Sequence, residues 1–461
     1  MGILGRGIRK ATRSTKGDVN EIRGALGRIK RRDFSGDSGQ AIKNSTYQLA
    51  SSVISRAGAL IFAIIIARML LPELFGLYSM ALSIILIFSV FSELGISQAV
   101  VRFIAKESGK KNGKVIEVLK YLLKIKLILI AIVVLALAIL SPIIAGKIYD
   151  EPILLALFSG ILYIIFLQLV NFAASTLQGL NNFKLQLIRE IIFSVLKITL
   201  MPIAILIGMK FLLSTEIRLA LIILSIAISF LVPIPILINS IKKYEVVRKK
   251  CKKTTRKEKK KINKFIIASA TIALSGVFFA NIDKIMMGYF ASASFVGYYT
   301  AAVSLISSIV VVPGIFSVSL LPIFSKLKTK DLGRKFKRVV SVIILISAIL
   351  FIFTNALAYI IIILIYGKAY LTSVSILRAL SILIFINPII GIYSAYFISR
   401  GSPKIIAKST LFATVINIIL NFIFMKSLTS FGEIYIVYAA VAATLISQVI
   451  YMIQLINSKK D

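Results

Sequence analysis

Histidine and tryptophan are missing from this chain, cysteine occurs once, and acidic residues number only 18 against 56 lysines and arginines. Without histidine, and with Cys251 alone, no zinc, haem or iron–sulfur site can be assembled and no intrachain disulfide can form. The few acids also leave little material for catalysis. The segments between apolar runs carry no Asp-x-Asp metal site, no glycine-rich phosphate loop and no nucleophile motif, so we expect neither an enzyme nor a metal or cofactor. No ATPase cassette is present either, which leaves an ion gradient or the substrate's own gradient as the energy source.

What is abundant is apolar length. Of 461 residues 58% are hydrophobic, and the mean hydropathy is +0.93. A helix needs roughly 20 apolar residues to cross about 30 Å of hydrocarbon. Twelve such runs are predicted, at 46–71, 76–98, 121–146, 153–178, 186–208, 217–240, 265–290, 295–323, 339–366, 373–398, 405–426 and 432–457. The predicted fold is therefore all-α and polytopic. The first two runs meet at Leu71-Pro72-Glu73-Leu74-Phe75, read as a turn.

The net charge of +38 would point to nucleic acid in a soluble protein. Here the cations lie between the apolar runs, where they orient the chain and meet anionic lipid headgroups, so no nucleic-acid partner is expected. With both termini in the cytoplasm, 46 of the 56 fall in inside segments, five in outside segments and five within spans. The positive-inside rule thus favours a multi-pass protein of the cell membrane in that orientation. Residues 1–45 form a basic cytoplasmic tail, in which Val19, Ile22, Leu26 and Ile29 share a helical face suited to the membrane surface; a disordered tail fits as well. No export signal is recognised in it.

The chain also repeats itself. Phe75-Gly76-Leu77-Tyr78-Ser79 is echoed 221 residues later by Val296-Gly297-Tyr298-Tyr299-Thr300, and the turn at Leu177-Gln178-Gly179 by Ser399-Arg400-Gly401. Two parallel-repeat bundles of six helices are expected around a central cavity, at 46–240 and 265–461, joined by a basic cytoplasmic linker over 241–264. Prolines 142, 202, 233, 235, 313, 322 and 388 interrupt spans, as flex points for alternating access or as static kinks.

Charge inside a bilayer is costly and normally faces a cavity or a partner. Arg56 lies about 15 Å into the first span, at about 1.5 Å per residue, and Lys197 about as deep in the fifth. We read both as cavity cations for an anionic substrate group, since an arginine fork grips phosphate oxygens in pairs. Lys197 snorkelling to the inner surface is the competing reading. Arg68, Asp283, Lys284 and Glu93 are gate or coupling candidates, with Arg68–Asp283 as a gate pair and Arg56–Glu93 as the pairing that would remove Arg56 from substrate binding. Arg378 is read as snorkelling.

The stretch from Asn44 to Glu107, with Ser55-Arg56, Ile66-Ala67-Arg68, Pro72-Glu73-Leu74-Phe75-Gly76 and Glu93-Leu94-Gly95-Ile96-Ser97, resembles polysaccharide-biosynthesis flippases of the O-antigen type. Asn281-Ile282-Asp283-Lys284 and Gly401-Ser402-Pro403-Lys404 extend the likeness toward the other end. Those proteins belong to the multidrug/oligosaccharidyl-lipid/polysaccharide exporter superfamily. The resemblance implies two six-helix lobes, an alternating-access cavity and a lipid-linked sugar substrate on a polyprenyl phosphate or pyrophosphate. Arg56 occupies a position similar to a cavity arginine of the related peptidoglycan-precursor flippases, although those have fourteen spans and more cavity arginines. An ion-coupled multidrug or cation antiporter of the same superfamily, and a scaffold subunit working with other polysaccharide-assembly membrane proteins, are the alternatives. The mid-depth charges, being basic, disfavour a cationic cargo.

Overall fold

The computed structural model describes residues 36–110, 113–248, 253–319 and 329–459. The expected surface helix around Val19 to Ile29, Cys251 and the kink at Pro322 lie outside them. All regular structure among the described residues is helical, and eleven helical segments are long and apolar enough to cross a membrane. The first of these holds two of the twelve expected spans. It opens with α1 (Gly36–Glu93), which is broken at Leu71, where φ is 61° and ψ 169°, just before Pro72. Proline has no N–H to bond the preceding turn and disfavours helical geometry at the residue before it, so the break falls where the sequence places a turn. We call the parts before and after Leu71 the first and second arms.

The remaining helices follow in order. They are α2 (Ile96–Ser108), α3 (Val115–Pro142), α4 (Leu154–Gly179), α5 (Phe183–Lys210), α6 (Thr215–Leu231), α7 (Pro233–Lys242) and α8 (Glu245–Arg248), then α9 (Arg256–Phe290), α10 (Ala293–Ser319), α11 (Thr329–Ile365), α12 (Ser373–Leu380), α13 (Leu383–Ser399), α14 (Pro403–Leu428) and α15 (Glu433–Ser458). Proline accounts for several junctions. Pro142 ends α3, where a wider π-helical turn over Ile143–Tyr149 takes over, and Pro233 separates α6 from α7. Pro202, Pro313 and Pro388 are carried within helices. The expected span at 373–398 is broken after Leu380, where the Ser381 hydroxyl donates to the Arg378 carbonyl and receives Asn355 Nδ2 at 2.9 Å.

The helix after the linker starts at Arg256, before the expected span, because Thr255 and Glu258 form a capping box. Glu258 Oε1 and Oε2 lie 2.9 and 3.0 Å from Lys114 Nζ, tying α9 to the first half of the chain. Phe103 against Phe265, Arg102 over the Phe265 ring and Tyr121 Oη on Asn263 continue that seam.

Positive-φ residues interrupt the helices at Asp150, Asn181 and Leu212 and again at Gly367, Gly401 and Gly432, pairwise at nearly the separation of the echoed motif, whereas Leu71, Leu94 and Gly95 have no such counterpart among the described residues. The residue matching Gly401 is therefore Asn181; Gly179 is helical and packs against Ile104. The echoed glycines themselves meet. A Cβ on Gly76 would lie 1.7 Å from the Ala293 carbonyl oxygen, and one on Gly297 would lie 2.0 Å from that of Pro72. Each glycine thus faces the residue four before the other, the reciprocity that a two-fold relation between α1 and α10 produces. Contact this close requires residues without side chains.

Candidate functional site: a polar stripe in the cleft

The first arm of α1 carries the site. Its buried side packs on α5, where Gly58 meets Ser194 and the Phe62 ring lies under Lys197 Nζ at 3.6 Å. Its exposed side carries Gln48, Ser52 and Arg56 at successive turns. Helix faces turned to lipid elsewhere in this chain expose isoleucine and leucine, as α3 does with Ile128, Ile132, Leu135 and Ile139. Hydrocarbon would leave the polar stripe unsolvated, so it faces water. Arg56 makes no hydrogen bond or ion pair among the described residues.

Eleven residues further on, about 20° round the helix axis at about 100° per residue, is Ala67. The Ala67 carbonyl accepts Tyr370 Oη at 2.9 Å, and Arg68 Nε donates to the Ile365 carbonyl at 2.7 Å while its Nη2 donates to that of Leu364. Leu364 and Ile365 end α11 and Tyr370 lies in the turn after it, in the second half of the chain. A helix end leaves its last carbonyls unbonded and negative, which is what a guanidinium fork can clasp. The first arm is therefore tied to the second half of the chain near Leu71, while the turns around Ser52 and Arg56 stay exposed.

The other expected site residues are distributed differently. Glu93 is bound to Lys126, with Oε2 2.5 Å from Nζ, and not to Arg56. Gln168 Oε1 also accepts from Lys126 at 2.5 Å, and Gln168 Nε2 donates to the Ser89 carbonyl and hydroxyl. The expected Arg68–Asp283 pair does not form: Asp283 is turned toward α14 and α15. It accepts Tyr299 Oη at 2.7 Å, Asn421 Nδ2 at 2.6 Å and Thr444 Oγ1 at 2.6 Å. The Oδ1 atoms of Asn417 and Asn421 are buried beside it without a donor. Among the described residues Lys284 bonds only the Asn281 amide oxygen, at 3.3 Å, and Arg378 is exposed. No three histidine, cysteine or acidic side chains gather into a metal site among the described residues.

Two buried polar groups escaped the sequence reading. Lys126, counted with the inside segment 99–126 in the charge tally, is fully enclosed; Gln168, a lone amide in an apolar run, is the signal that could have located its partner. Arg189 and Glu190, in the inside segment 178–190 of the same tally, form an ion pair of 2.6 Å, and Arg189 Nη1 donates to Asn171 Oδ1.

The family described as polysaccharide biosynthesis protein matches residues 41–328. No curated protein matches the sequence. Among solved structures, the lipid II flippase MurJ in an inward closed conformation superposes with a TM-score of 0.69 at 18% identity, covering 90% of this chain and 87% of that one. An inward-facing multidrug resistance transporter of the MATE family, in the MOP superfamily, gives 0.65 at 16% identity, covering 88% and 96%. A eukaryotic MATE transporter gives 0.54 at 14% identity, covering 89% and 95%. At these identities the likeness is one of fold.

Proposed function

Since this chain belongs to the polysaccharide biosynthesis protein family, we propose that it is a flippase that carries a lipid-linked oligosaccharide, on a polyprenyl phosphate or pyrophosphate, across the membrane by alternating access. The observation that carries this reading is Arg56: without a hydrogen-bond or ion-pair partner among the described residues, and exposed on one side of α1 with Gln48 and Ser52. A guanidinium so placed can take an anionic ligand, and two phosphate oxygens satisfy its fork. The lipid tail needs no polar site and can stay in the bilayer. No chemical step on the substrate is required of the protein.

The test is reconstitution of the purified protein in vesicles with a fluorescent monosaccharide on polyprenyl phosphate, scoring the label lost to an impermeant quencher. Arg56→Ala should slow flipping about 10- to 100-fold, as expected for a charge-assisted hydrogen bond of about 1.5–3 kcal/mol. Unchanged flipping would remove Arg56 from the mechanism, and no flipping by the parent protein would favour the scaffold reading.

Asp283 supports a coupling role rather than a gate. Its carboxylate, two amide oxygens without donors and the Thr444 hydroxyl make an oxygen-rich pocket with fewer donors than acceptors. Such a deficit is met by a proton or a small monovalent cation, which would travel rather than reside. Asp283→Asn should leave gradient-free flipping in place and abolish its stimulation by a sodium or proton gradient, measured in the same vesicles. Lys197 is proposed as a second, weaker contact to the substrate, held in reserve by the Phe62 ring.

A further inference from the structure

In the first half of the chain a half-open cavity of about 180 Å³ lies between the first arm of α1, α4, α5 and the junction of α6 with α7. Two walls of opposite character bound it. On one, Phe193 and Phe230 stack with ring centres 4.2 Å apart and planes 10° apart. On the other, Arg189 Nη2 holds Glu190 at 2.6 Å and Nη1 donates to Asn171 Oδ1 at 3.3 Å, while Arg189 Nε is buried without an acceptor. Ser55 closes the side next to Arg56.

The chemistry of these walls selects among ligands. Arg189 is neutralised by Glu190, whose side chain is 7% exposed, so the cavity offers no net positive charge to an anion. Greasy cargo would strand the unbonded Nε and the polar wall. A cyclic polyol suits both walls, with its C–H groups against the rim of the aromatic pair and its hydroxyls giving to Glu190 and Asn171 and accepting from Arg189. The volume is about 60% of the roughly 300 Å³ at which pockets begin to hold drug-sized ligands, a size that suits one six-membered ring.

We propose that this cavity is a subsite for a single neutral pyranose. That such a ring belongs to a flipped cargo rests on the flippase reading; the binding of a free sugar does not. A hexuronate would bring into the subsite a charge that the neutralised Arg189–Glu190 pair does not offset, so it should bind less well than a neutral ring.

The experiment uses the full chain in a Cys251→Ser background with Ser55→Cys as reporter, and Leu167→Cys as a second reporter from α4. Mixed-disulfide formation with a small methanethiosulfonate, which releases methanesulfinate, is timed with methyl glucoside, N-acetylglucosamine, glucuronate or inorganic pyrophosphate present. The neutral sugars should slow labelling severalfold and saturably, glucuronate and pyrophosphate should not, and Phe193→Ala should remove the protection. Labelling unaffected by every sugar at both reporters, or slowed most by pyrophosphate, overturns the proposal. Sugar protection that survives Arg56→Ala, in a protein that flips no lipid-linked sugar, would keep the subsite and sink the flippase reading.

Discussion

Gly76→Leu is expected to bring flipping down to the level of protein-free vesicles. At the position of a Cβ on Gly76 lies the Ala293 carbonyl oxygen at 1.7 Å and the Gly297 backbone nitrogen at 2.9 Å, and no rotamer can move a main chain aside. Since heavy atoms rest about 3.5–4.0 Å apart, the two helices would have to separate by roughly 2 Å. That separation acts on the closest approach between the two halves of the chain, next to the Arg68 clasp. Each half keeps its own helices and its own buried contacts, so the protein should still insert. The mirror substitution Gly297→Leu meets the Pro72 carbonyl and should do the same. Because both glycines serve one contact, Gly76→Ala with Gly297→Ala should be little worse than the more damaging of the two alone. Flipping by Gly76→Leu at the parental rate would show that the crossing is not needed for transport.

The second large effect concerns stability. Glu93→Ala should destabilise the protein by about 3–5 kcal/mol, the usual consequence of leaving one member of a buried ion pair alone. Lys126 has no accessible surface, and its ammonium would keep only the Gln168 amide oxygen. The loss should appear as a lower midpoint of thermal unfolding in detergent. Adding Lys126→Met removes the stranded charge, and the double variant should recover most of the loss, since an apolar pair of similar volume often serves as well as an ionic one. A cycle in which the two losses simply add would contradict a direct pairing.

How far such features can be read from residues alone differs by type. The helix break at Leu71-Pro72 and the spans follow from hydropathy and proline chemistry, which act locally. Arg56 stands out in the sequence because a cation deep in an apolar run has few explanations, and in the fold it is exposed; its role is a proposal. Pairing across helices was not. Whether Asp283 turns to Arg68 or to Asn421 and Thr444 depends on how α9 is rotated, and α9 is apolar on several sides, so its pattern fixes no rotation. Lys126 was misplaced for a related reason. A lysine at the edge of an apolar run ordinarily reaches for the headgroups, and only the folded position of Gln168 and Glu93 reveals that this one turns inward. The reciprocal glycines are an intermediate case: their recurrence is in the sequence, while the fact that they touch is not.

The clasp that ties the first arm to the second half of the chain has an asymmetry that bears on how it can be altered. Arg68 supplies a side chain, but Leu364 and Ile365 supply only main-chain oxygens, which every amino acid possesses. Drift at 364 and 365 therefore cannot erase the latch, and selection can tune it from one side alone. A saturation library over both partners should return closure defects at codon 68 and near silence at the two codons opposite.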